Sequence, residues 1–254
     1  MKEYLKYLRW VEGECYSIPI GSYRHSFAVV CSRRATHSAE FQNGLFPYFA
    51  YIELLAGGVW VREGTTIVPV LPDGRFVMVI NQRPAQARFK HAQHVLQLAR
   101  TTLDLSSFGP YSSLEFPGGA IEPGENITLG FLRELSEETG IVDENAILYR
   151  RCRPCFPSLA DIALQGYYGV VFLSRFSFNE HVESDGGLRV LALTRDEVVR
   201  NIRNGVIACS QSALLSWSFY REVEEARSDK RLGDELVSAG YLSIDRVCIR
   251  TTLS

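Results

Sequence analysis

The sequence predicts a mixed α/β fold, in which helices cover both faces of a mixed β-sheet. Apolar runs of strand length recur along the chain, such as "IVPVL" and "GYYGVVFL". Between them lie segments with helix start and stop signals, of which "GENITLGFLRELSEETG" is the clearest. Strands and helices alternate without a strict βαβ rhythm, so a mixed sheet fits better than a fully parallel one.

Length, composition and charge restrict the class of protein. The 254 residues suit one large domain or a core with a small extra region, and 46% are hydrophobic. The formal net charge is −2, whereas proteins that bind long nucleic acids usually carry a basic surface. The N-terminal segment lacks the apolar core of a signal peptide, and no apolar run is long enough to span a membrane. We therefore expect a cytoplasmic protein with no nucleic-acid or membrane partner.

The cysteines do not indicate a disulfide framework, because all six are scattered through a long chain. Cys152 and Cys155 form a CxxC pair, but no second pair has the spacing of a structural zinc site. A redox pair is one interpretation. The simpler interpretation is two reduced thiols near a turn.

Three regions are predicted along the chain. They are a β-rich N-terminal region at 1–64, a main domain at 65–208, and a helical C-terminal tail at 209–254. In the main domain, "IVPVL" and "RFVMVI" are predicted strands joined by a "PDG" turn. A later helix is predicted to begin after Thr194 and to stop at Gly205. The stretch 85–113 is predicted as an irregular insertion with a helical piece around "HAQHVLQLART".

The helix within "GENITLGFLRELSEETG" places acidic residues beside its apolar face. Its apolar row consists of Ile127, Phe131 and Leu135. At about 100° per residue, Glu134 and Glu138 share a face and lie within roughly 20–40° of that row. A solvated acidic surface would place them on the opposite side. The acids are therefore predicted to be partly buried.

Carboxylates held together at partly buried positions need a compensating positive charge. Arg133 supplies one cation, which is too little for the whole cluster. Mg²⁺ prefers carboxylate and carbonyl oxygens and commonly completes its shell with substrate phosphates. The preceding "FPGGA" turn permits close backbone approach, and one of its carbonyls is a further candidate ligand. The pattern favours a Mg²⁺ site for phosphate chemistry over a plain acidic surface.

The same stretch resembles the Nudix box. Gly119, Glu125 and the run "RELSEETGI" at 133–141 match every defined position of that motif. The resemblance extends over residues 65–208 and implies a Nudix α/β/α sandwich with a mixed sheet and an N-terminal β-rich extension.

One branch of the family is the most similar. "VPVLPDGRFVMVINQRP" followed by "LEFPGGAIEPGE" resembles the branch that hydrolyses ADP-ribose and nucleoside-diphosphate sugars. Pro157 lies 16 residues after Ile141, where that branch commonly has a proline. The segment after it reads "SLADIALQ", which departs from the branch pattern of a glycine and a later acid. Either the sugar pocket differs from that of the branch or the branch is only loosely matched.

The resemblance implies hydrolysis of a pyrophosphate linked to another group, with Mg²⁺ or Mn²⁺ and water. The metal ligands it implies are Glu134, Glu137, Glu138 and the carbonyl of Gly118. Arg133 is implied to orient these acids through ion pairs.

The general base and the substrate contacts are implied with alternatives. The base is either Glu137 or an acid of the loop "NEHVESDGGLRV", where Glu183 and Asp185 are candidates and Glu180 is less favoured. The implied substrate-side residues are Arg83, Glu115 and Pro157.

These features predict a Mg-dependent pyrophosphatase that converts ADP-ribose, or a related nucleoside-diphosphate sugar, to a nucleoside monophosphate and a sugar phosphate. The branch also implies a homodimer that uses the N-terminal region. One alternative is a ligand-sensing Nudix domain without turnover, against which the intact motif argues. Another is a nucleotide or RNA-cap "housecleaning" hydrolase, whose RNA version lacks the expected basic surface.

Overall fold

A computed structural model describes strand backbone in the first 60 residues and whole residues over most of the remaining chain. The whole residues are 63–81, 94–108, 112–122, 124–156, 165–176, 189–209 and 211–250, and Gln82 is described by its strand backbone. The chain forms two compact units, Met1–Arg62 with Phe156–Gln165 and Glu63–Cys155 with Gly166–Ser254. No helix among the described residues has the length and apolar character needed to cross a membrane.

The first unit contains a four-stranded antiparallel sheet. Its strands, in spatial order, are β1 (Leu8–Ile20), β2 (Tyr23–Ala35), β3 (Leu45–Leu55) and β4 (Val59–Trp60). The pairing of β1 with β2 shifts register between Glu12 and Cys15. This sheet confirms the predicted β-rich N-terminal extension.

The second unit is built on a seven-stranded sheet with helices. The first strands of this unit are β5 (Glu63–Val70), β6 (Phe76–Gln82), β7 (Val95–Gln97), β8 (Thr102–Asp104) and β9 (Ser112–Glu115). Of these, β7 and β8 form a separate two-stranded sheet. Helix α1 (Ile127–Thr139) is followed by β10 (Asp143–Arg151), β11 (Gln165–Phe172) and β12 (Arg189–Leu193). The chain continues with α2 (Arg195–Arg203), α3 (Trp217–Ser228), α4 (Lys230–Ser238) and β13 (Leu242–Ile249). The strand order is β12-β6-β5-β11-β10-β13, and β9 also pairs with β6.

The sheet is buried on both faces, which makes the unit an α/β/α sandwich. Along β6, Phe76, Met78 and Ile80 enter one apolar cluster, which α2 and α3 cover with buried residues such as Val198 and Phe219. The alternating residues Val77 and Val79 enter the opposite cluster, against Phe131 and Leu135 of α1. Successive side chains of a strand point to opposite faces, so one strand serves both layers. The predicted fold class is confirmed.

The local signals read from the sequence are confirmed at the hairpin and at two helices. Leu71 N–H donates to the Arg75 carbonyl at 2.8 Å, and Gly74 has a φ of 83° in the predicted "PDG" turn. Helix α1 is capped at its start by Asn126, whose side chain accepts from Thr128, and it ends at a left-handed Gly140. Helix α2 has the predicted Thr194 cap, completed as a capping box by Glu197.

The helical piece predicted around "HAQHVLQLART" is wrong where the structure describes it. Strands β7 and β8 form an antiparallel hairpin there. Asn201 of α2 accepts from Gln97 N–H and donates to the Gln97 carbonyl, both at 2.8 Å, and Glu197 accepts from Ala99 N–H at 2.8 Å. Leu96 is fully buried. These contacts with a distant helix outweigh the local helix preference of the segment.

The segment expected to be a helical tail is helical only in part. A π-helical turn (Gln211–Ser216) leads into α3 and α4, and β13 then pairs antiparallel with β10. Leu242, Val247 and Ile249 of β13 are buried, while residues between them are partly exposed. Leu242 belongs to the apolar cluster of Phe76 and Phe219, whereas Val247 and Ile249 belong to the opposite cluster, so β13 contributes to both faces of the sheet. The C-terminal segment therefore completes the sheet.

Candidate functional site

The glycine-rich turn is the segment "FPGGA" at 116–120, and it lies where strands β5 and β6 separate. The two strands pair beside their hairpin turn, at Val70 and Phe76. Farther along, β9 pairs with β6, with Glu115 opposite Val79. The residues after β9 bond to β5 instead. The Pro117 carbonyl accepts from Ile67 at 2.9 Å, and the Gly119 carbonyl accepts from Thr65 at 2.8 Å. The turn is thus anchored within the sheet.

Close neighbours leave no room for a side chain at either of the two adjacent glycines of the turn. A Cβ atom on Gly118 would lie 2.1 Å from the Thr65 carbonyl oxygen, so a side chain does not fit against β5. A Cβ atom on Gly119 would lie 2.4 Å from Glu134 Oε2. Gly118 therefore lets the turn approach the strand, and Gly119 leaves room for a carboxylate.

The backbone of Gly118 faces helix α1. Its N–H donates to Glu138 Oε2 at 2.8 Å. The neighbouring carbonyls of Pro117 and Gly119 point toward β5. Successive carbonyls of an extended chain point to opposite sides, so the Gly118 carbonyl points away from β5. This is the carbonyl that the sequence interpretation named as a metal ligand.

Helix α1 brings three glutamates to the turn. Phe131 and Leu135 are buried and fix the rotation of the helix against the sheet. In this orientation Glu134 and Glu138 are buried, with exposures of 9% and 8%. The Glu137 side chain is 38% exposed. Burial of the first two agrees with their angular position beside the apolar row.

Arg133 connects the acids to one another. Its Nη1 donates to Glu134 at 2.8 Å and to Glu137 at 3.0 Å. Its Nε and Nη2 make a bidentate pair with Glu125, both at 2.9 Å. Nη2 also donates to the Ala120 carbonyl at 2.7 Å. Charge-assisted and bidentate contacts of this kind hold a guanidinium in one geometry, so Arg133 fixes the helix acids relative to the turn.

The cluster perturbs the protonation of its members. Burial raises the pKa of Glu134 to about 7, although the neighbouring Arg133 opposes the shift. The hydrogen bonds from Arg133 hold the pKa of Glu125 below its usual value, against the effect of burial. The same bonds with Glu125 raise the pKa of Arg133, which stays charged. The contact of Glu134 with Arg133 therefore does not fully offset the effect of its burial.

The donor set fits a divalent hard cation. One guanidinium contacts three carboxylates, and Glu138 is buried beside them, so negative charge is in excess. Among the described residues, no three acidic, histidine or cysteine side chains converge enough to enclose an ion. Mg²⁺ keeps several waters and uses one or two carboxylates plus substrate phosphates, so it does not need such a cage. Glu134, Glu138 and the Gly118 carbonyl match that requirement.

The structure brings together part of the predicted site. Gly118, Arg133, Glu134, Glu137 and Glu138 meet at the turn and α1. Glu115 is 4% exposed at the end of β9, three residues before Gly118. Five predicted site residues lie outside the described part of the chain, namely Arg83, Pro157, Glu180, Glu183 and Asp185.

Two residues near the turn were missed by the sequence interpretation. Glu125 makes the bidentate contact with Arg133, and its fixed place in the motif eight residues earlier was the signal for that role. Ser212 accepts a hydrogen bond from Phe116 N–H at 3.0 Å. A serine 96 residues away gives no local signal of such a contact.

Comparisons with known proteins identify the same region. The family model described as NUDIX domain matches residues 65–203. A segment of 46 residues is 50% identical to the 8-oxo-dGTP diphosphatase of Haemophilus influenzae (strain ATCC 51907 / DSM 11121 / KW20 / Rd), covering 18% of this chain and 34% of that protein. The chain thus spans about a third of the length of this curated relative.

Two solved structures are similar at low sequence identity. A structure described as an ADP compounds hydrolase has a TM-score of 0.47 and 12% identity, covering 86% of this chain and 96% of that one. A MutT protein from Methanosarcina mazei Go1 has a TM-score of 0.34 and 14% identity, covering 54% of this chain and 80% of that one.

Proposed function

The NUDIX domain model matches more than half of the chain, so the protein belongs to the NUDIX family of hydrolases, and we propose that it is a metal-dependent pyrophosphatase acting on a nucleoside diphosphate derivative. One observation carries the proposal: Glu134 and Glu138 are buried beside the Gly118 turn, and Arg133 holds the acids in place. Buried carboxylates in excess of cations are costly unless a bound cation neutralises them.

Each residue of the cluster has a distinct role in this proposal. Glu134, Glu138 and the Gly118 carbonyl hold Mg²⁺ or Mn²⁺, with Glu137 as a further ligand. When bound, the divalent ion neutralises the diphosphate oxygens and stabilises the charge that develops there. Arg133 keeps the acids oriented through its contacts with Glu134 and Glu137. Catalysis at such a site depends mainly on positioning and charge stabilisation.

The general base is proposed to be Glu137 or Glu183. Glu137 is the most exposed acid of the cluster and is held by Arg133 at 3.0 Å, so it can take a proton from an attacking water at the site rim. Glu183 is proposed from the family resemblance alone. Replacing Glu183 with Gln distinguishes the two, because general-base catalysis contributes about 10²–10⁴-fold. A rate loss below about tenfold rejects Glu183 and leaves Glu137 and Asp185.

We propose ADP-ribose or a nucleoside-diphosphate sugar as the substrate. The support is the sequence resemblance around the hairpin, the Gly turn and the downstream proline. In this proposal Arg83, Glu115 and Pro157 lie on the substrate side. The reaction adds water across the pyrophosphate bond and yields a nucleoside monophosphate and a sugar phosphate.

A second candidate substrate is a nucleoside triphosphate. The local identity to an 8-oxo-dGTP diphosphatase favours it, at 50% over 46 residues. The same acid cluster, with its divalent ion, would then release pyrophosphate and a nucleoside monophosphate. The products separate the candidates, since only the diphosphate-sugar reaction yields a sugar phosphate.

The full-length chain is incubated with Mg²⁺ and ADP-ribose, nucleoside-diphosphate sugars, NADH, dinucleoside polyphosphates or 8-oxo-dGTP. Products are separated by ion-exchange chromatography. We expect AMP and ribose 5-phosphate from ADP-ribose, with loss of activity in EDTA. If no compound is cleaved but one binds, the protein is a ligand-sensing domain and the catalytic proposal fails.

The metal-ligand role predicts the behaviour of Glu138→Gln. We expect this variant to lose hydrolysis by about 10²-fold or more, as when one preorganised electrostatic group is removed, while its melting temperature stays near that of the wild type. Glu225→Gln is the control, because Glu225 is an exposed acid of α3. Undiminished turnover by Glu138→Gln contradicts the ligand role.

We also propose that the protein is a cytoplasmic homodimer. Among the described residues, Cys152, Cys155, Cys209 and Cys248 form no disulfide, which suits a reducing compartment. The dimer is proposed from the family branch, with the sheet of β1–β4 as the contact region. Light scattering after gel filtration gives the mass. A monomer at micromolar concentration contradicts the dimer.

A further inference from the structure

Phe116 is the residue at which the turn segment changes its partner strand. One residue earlier, Glu115 is paired with Val79 of β6. One residue later, the Pro117 carbonyl is bonded to Ile67 of β5. Phe116 is 2% exposed, and a buried N–H that leaves a strand ladder needs an acceptor elsewhere.

Ser212 provides this acceptor. Its Oγ accepts from Phe116 N–H at 3.0 Å, and Ser212 itself is 1% exposed. Ser212 belongs to the π-helical turn Gln211–Ser216, which lies after the part of the chain that the NUDIX model matches. Turns of π type are rare and often occur at functional positions.

The turn is therefore held by side chains at two points. Pro117 has no N–H, so the first backbone donors of the turn are those of Phe116 and Gly118. Phe116 donates to Ser212, and Gly118 donates to Glu138. One anchor comes from the C-terminal segment, and the other comes from α1. With the backbone bonds to β5, these anchors fix the Gly118 carbonyl relative to the helix acids.

We propose that Ser212 is a positioning residue for the metal-binding turn. It acts through Phe116 and not by contact with metal or substrate. This inference rests on the proposed function, because it assumes that the Gly118 turn and α1 hold a divalent ion. Groups that orient a metal site from outside its ligand set commonly contribute 10–100-fold to metal affinity or activity.

The same turn offers a matched control. Ser216 is fully buried, and its hydroxyl has no hydrogen-bond partner among the described residues. Ser212→Ala and Ser216→Ala remove the same atom from the same π-helical turn. Only the first removes the acceptor of Phe116 N–H. A general effect of deleting a buried hydroxyl should therefore occur in both variants. A specific effect on the metal site should occur in Ser212→Ala alone.

The test measures Mn²⁺ affinity of the full-length chain by titration with electron paramagnetic resonance of the free ion, with no substrate present. We expect Ser212→Ala to raise the Kd about tenfold, and Ser216→Ala to leave it unchanged. In the activity assay, the Mg²⁺ concentration for half-maximal rate should rise for Ser212→Ala, while the rate at saturating Mg²⁺ changes less. Ser212→Cys, with a weak sulfur acceptor of similar shape, should be intermediate.

The outcomes separate this inference from the proposed function. Wild-type Mn²⁺ affinity in folded Ser212→Ala, or an equal loss in Ser216→Ala, overturns the role of Ser212 and leaves the proposed function intact. If Ser212→Ala does not fold, Ser212→Cys carries the test, and wild-type affinity in that variant overturns the role. A wild-type chain that binds no Mn²⁺ overturns the proposed function and the role of Ser212 with it.

Discussion

Gly118 and Gly119 are both required, but by different neighbours. A side chain at Gly118 would meet the backbone of Thr65, which is fixed in β5. A side chain at Gly119 would meet the carboxylate of Glu134, which is the end of a flexible side chain. The first glycine therefore serves the fold, and the second serves the position of an acid.

This difference predicts that the two alanine variants separate stability from metal binding. We expect Gly119→Ala to stay folded and to lose metal affinity by about tenfold or more, because Glu134 is displaced from its contact with Arg133. Gly118→Ala should be strongly destabilised, because its clash is with backbone. Thermal unfolding and Mn²⁺ titration measure the two effects. Equal melting temperatures for the two variants contradict the assignment of Gly118 to the fold and of Gly119 to the position of Glu134.

The sequence predicted the burial of the helix acids because local rules determine it. The angular register of α1 follows from 3.6 residues per turn, so the burial of Glu134 and Glu138 could be read from spacing. The contact between Ser212 and Phe116 depends on where the C-terminal segment packs. No local pattern encodes that placement, so it was not predictable from the residues alone.

At the scale of secondary-structure elements, Asp143 joins the start of β10 to the end of β11. It is fully buried and accepts from Ser174 N–H and Ser174 Oγ, both at 2.6 Å, and from Asn145 N–H at 2.9 Å. Burial opposes its ionisation, but these donors together with the Arg175 N–H outweigh burial and hold the pKa of Asp143 below its usual value.

The lowered pKa predicts a pH-dependent contribution to stability. The ionised form is favoured by folding, so the contribution is fully present above about pH 4, the unfolded value, and is lost as pH falls through the lower folded pKa. We expect Asp143→Asn to reduce the free energy of unfolding by about 1–3 kcal/mol at pH 7. The difference from wild type should shrink below pH 4. Urea unfolding at several pH values measures it.

A surface acid is the control for this prediction. Asp234 is 68% exposed and pairs with Lys230 on α4. Exposed pairs contribute little, so Asp234→Asn should change the free energy of unfolding by under about 0.5 kcal/mol. A loss for Asp143→Asn that stays constant down to pH 2 would show that its carboxylate charge is not the cause.

The β7–β8 hairpin shows why an element can be mispredicted. Its residues carry few strand signals, and "HAQHVLQLART" has a helical pattern. The strand conformation is fixed by Asn201 and Glu197, which bond the backbone of Gln97 and Ala99 from a helix about 100 residues later. Tertiary hydrogen bonds of this kind override weak local preference. By contrast, β5, β6, α1 and α2 carry their own signals and were predicted.

At the scale of the whole molecule, the second unit depends on residues beyond the family match. Helix α3 contributes Phe219, Tyr220 and Val223 to the apolar cluster on the sheet face that α2 and α3 cover. Strand β13 pairs along most of β10. These elements cover apolar surface that residues 65–203 alone would expose.

This dependence predicts the outcome of a truncation. A chain that ends at Ala208 contains the whole matched region, yet we expect it to lose cooperative unfolding and to aggregate, because buried aromatic and strand surface becomes exposed. A chain that ends at Arg250 is the control, since it keeps β13. Circular dichroism during heating compares them. A cooperative transition in the shorter chain contradicts the prediction.

The hydrogen bonds that hold the glycine turn come from Thr65 and Ile67 of β5, from Glu138 and from Ser212. Synthesis proceeds from the N-terminus, so the last of these anchors leaves the ribosome after most of the chain has been made. A nascent chain that carries the complete motif is then still without the Ser212 anchor. Full metal affinity should consequently appear during translation only after Ser212 has left the ribosome and packed against Phe116, and it can serve as a reporter of that late step.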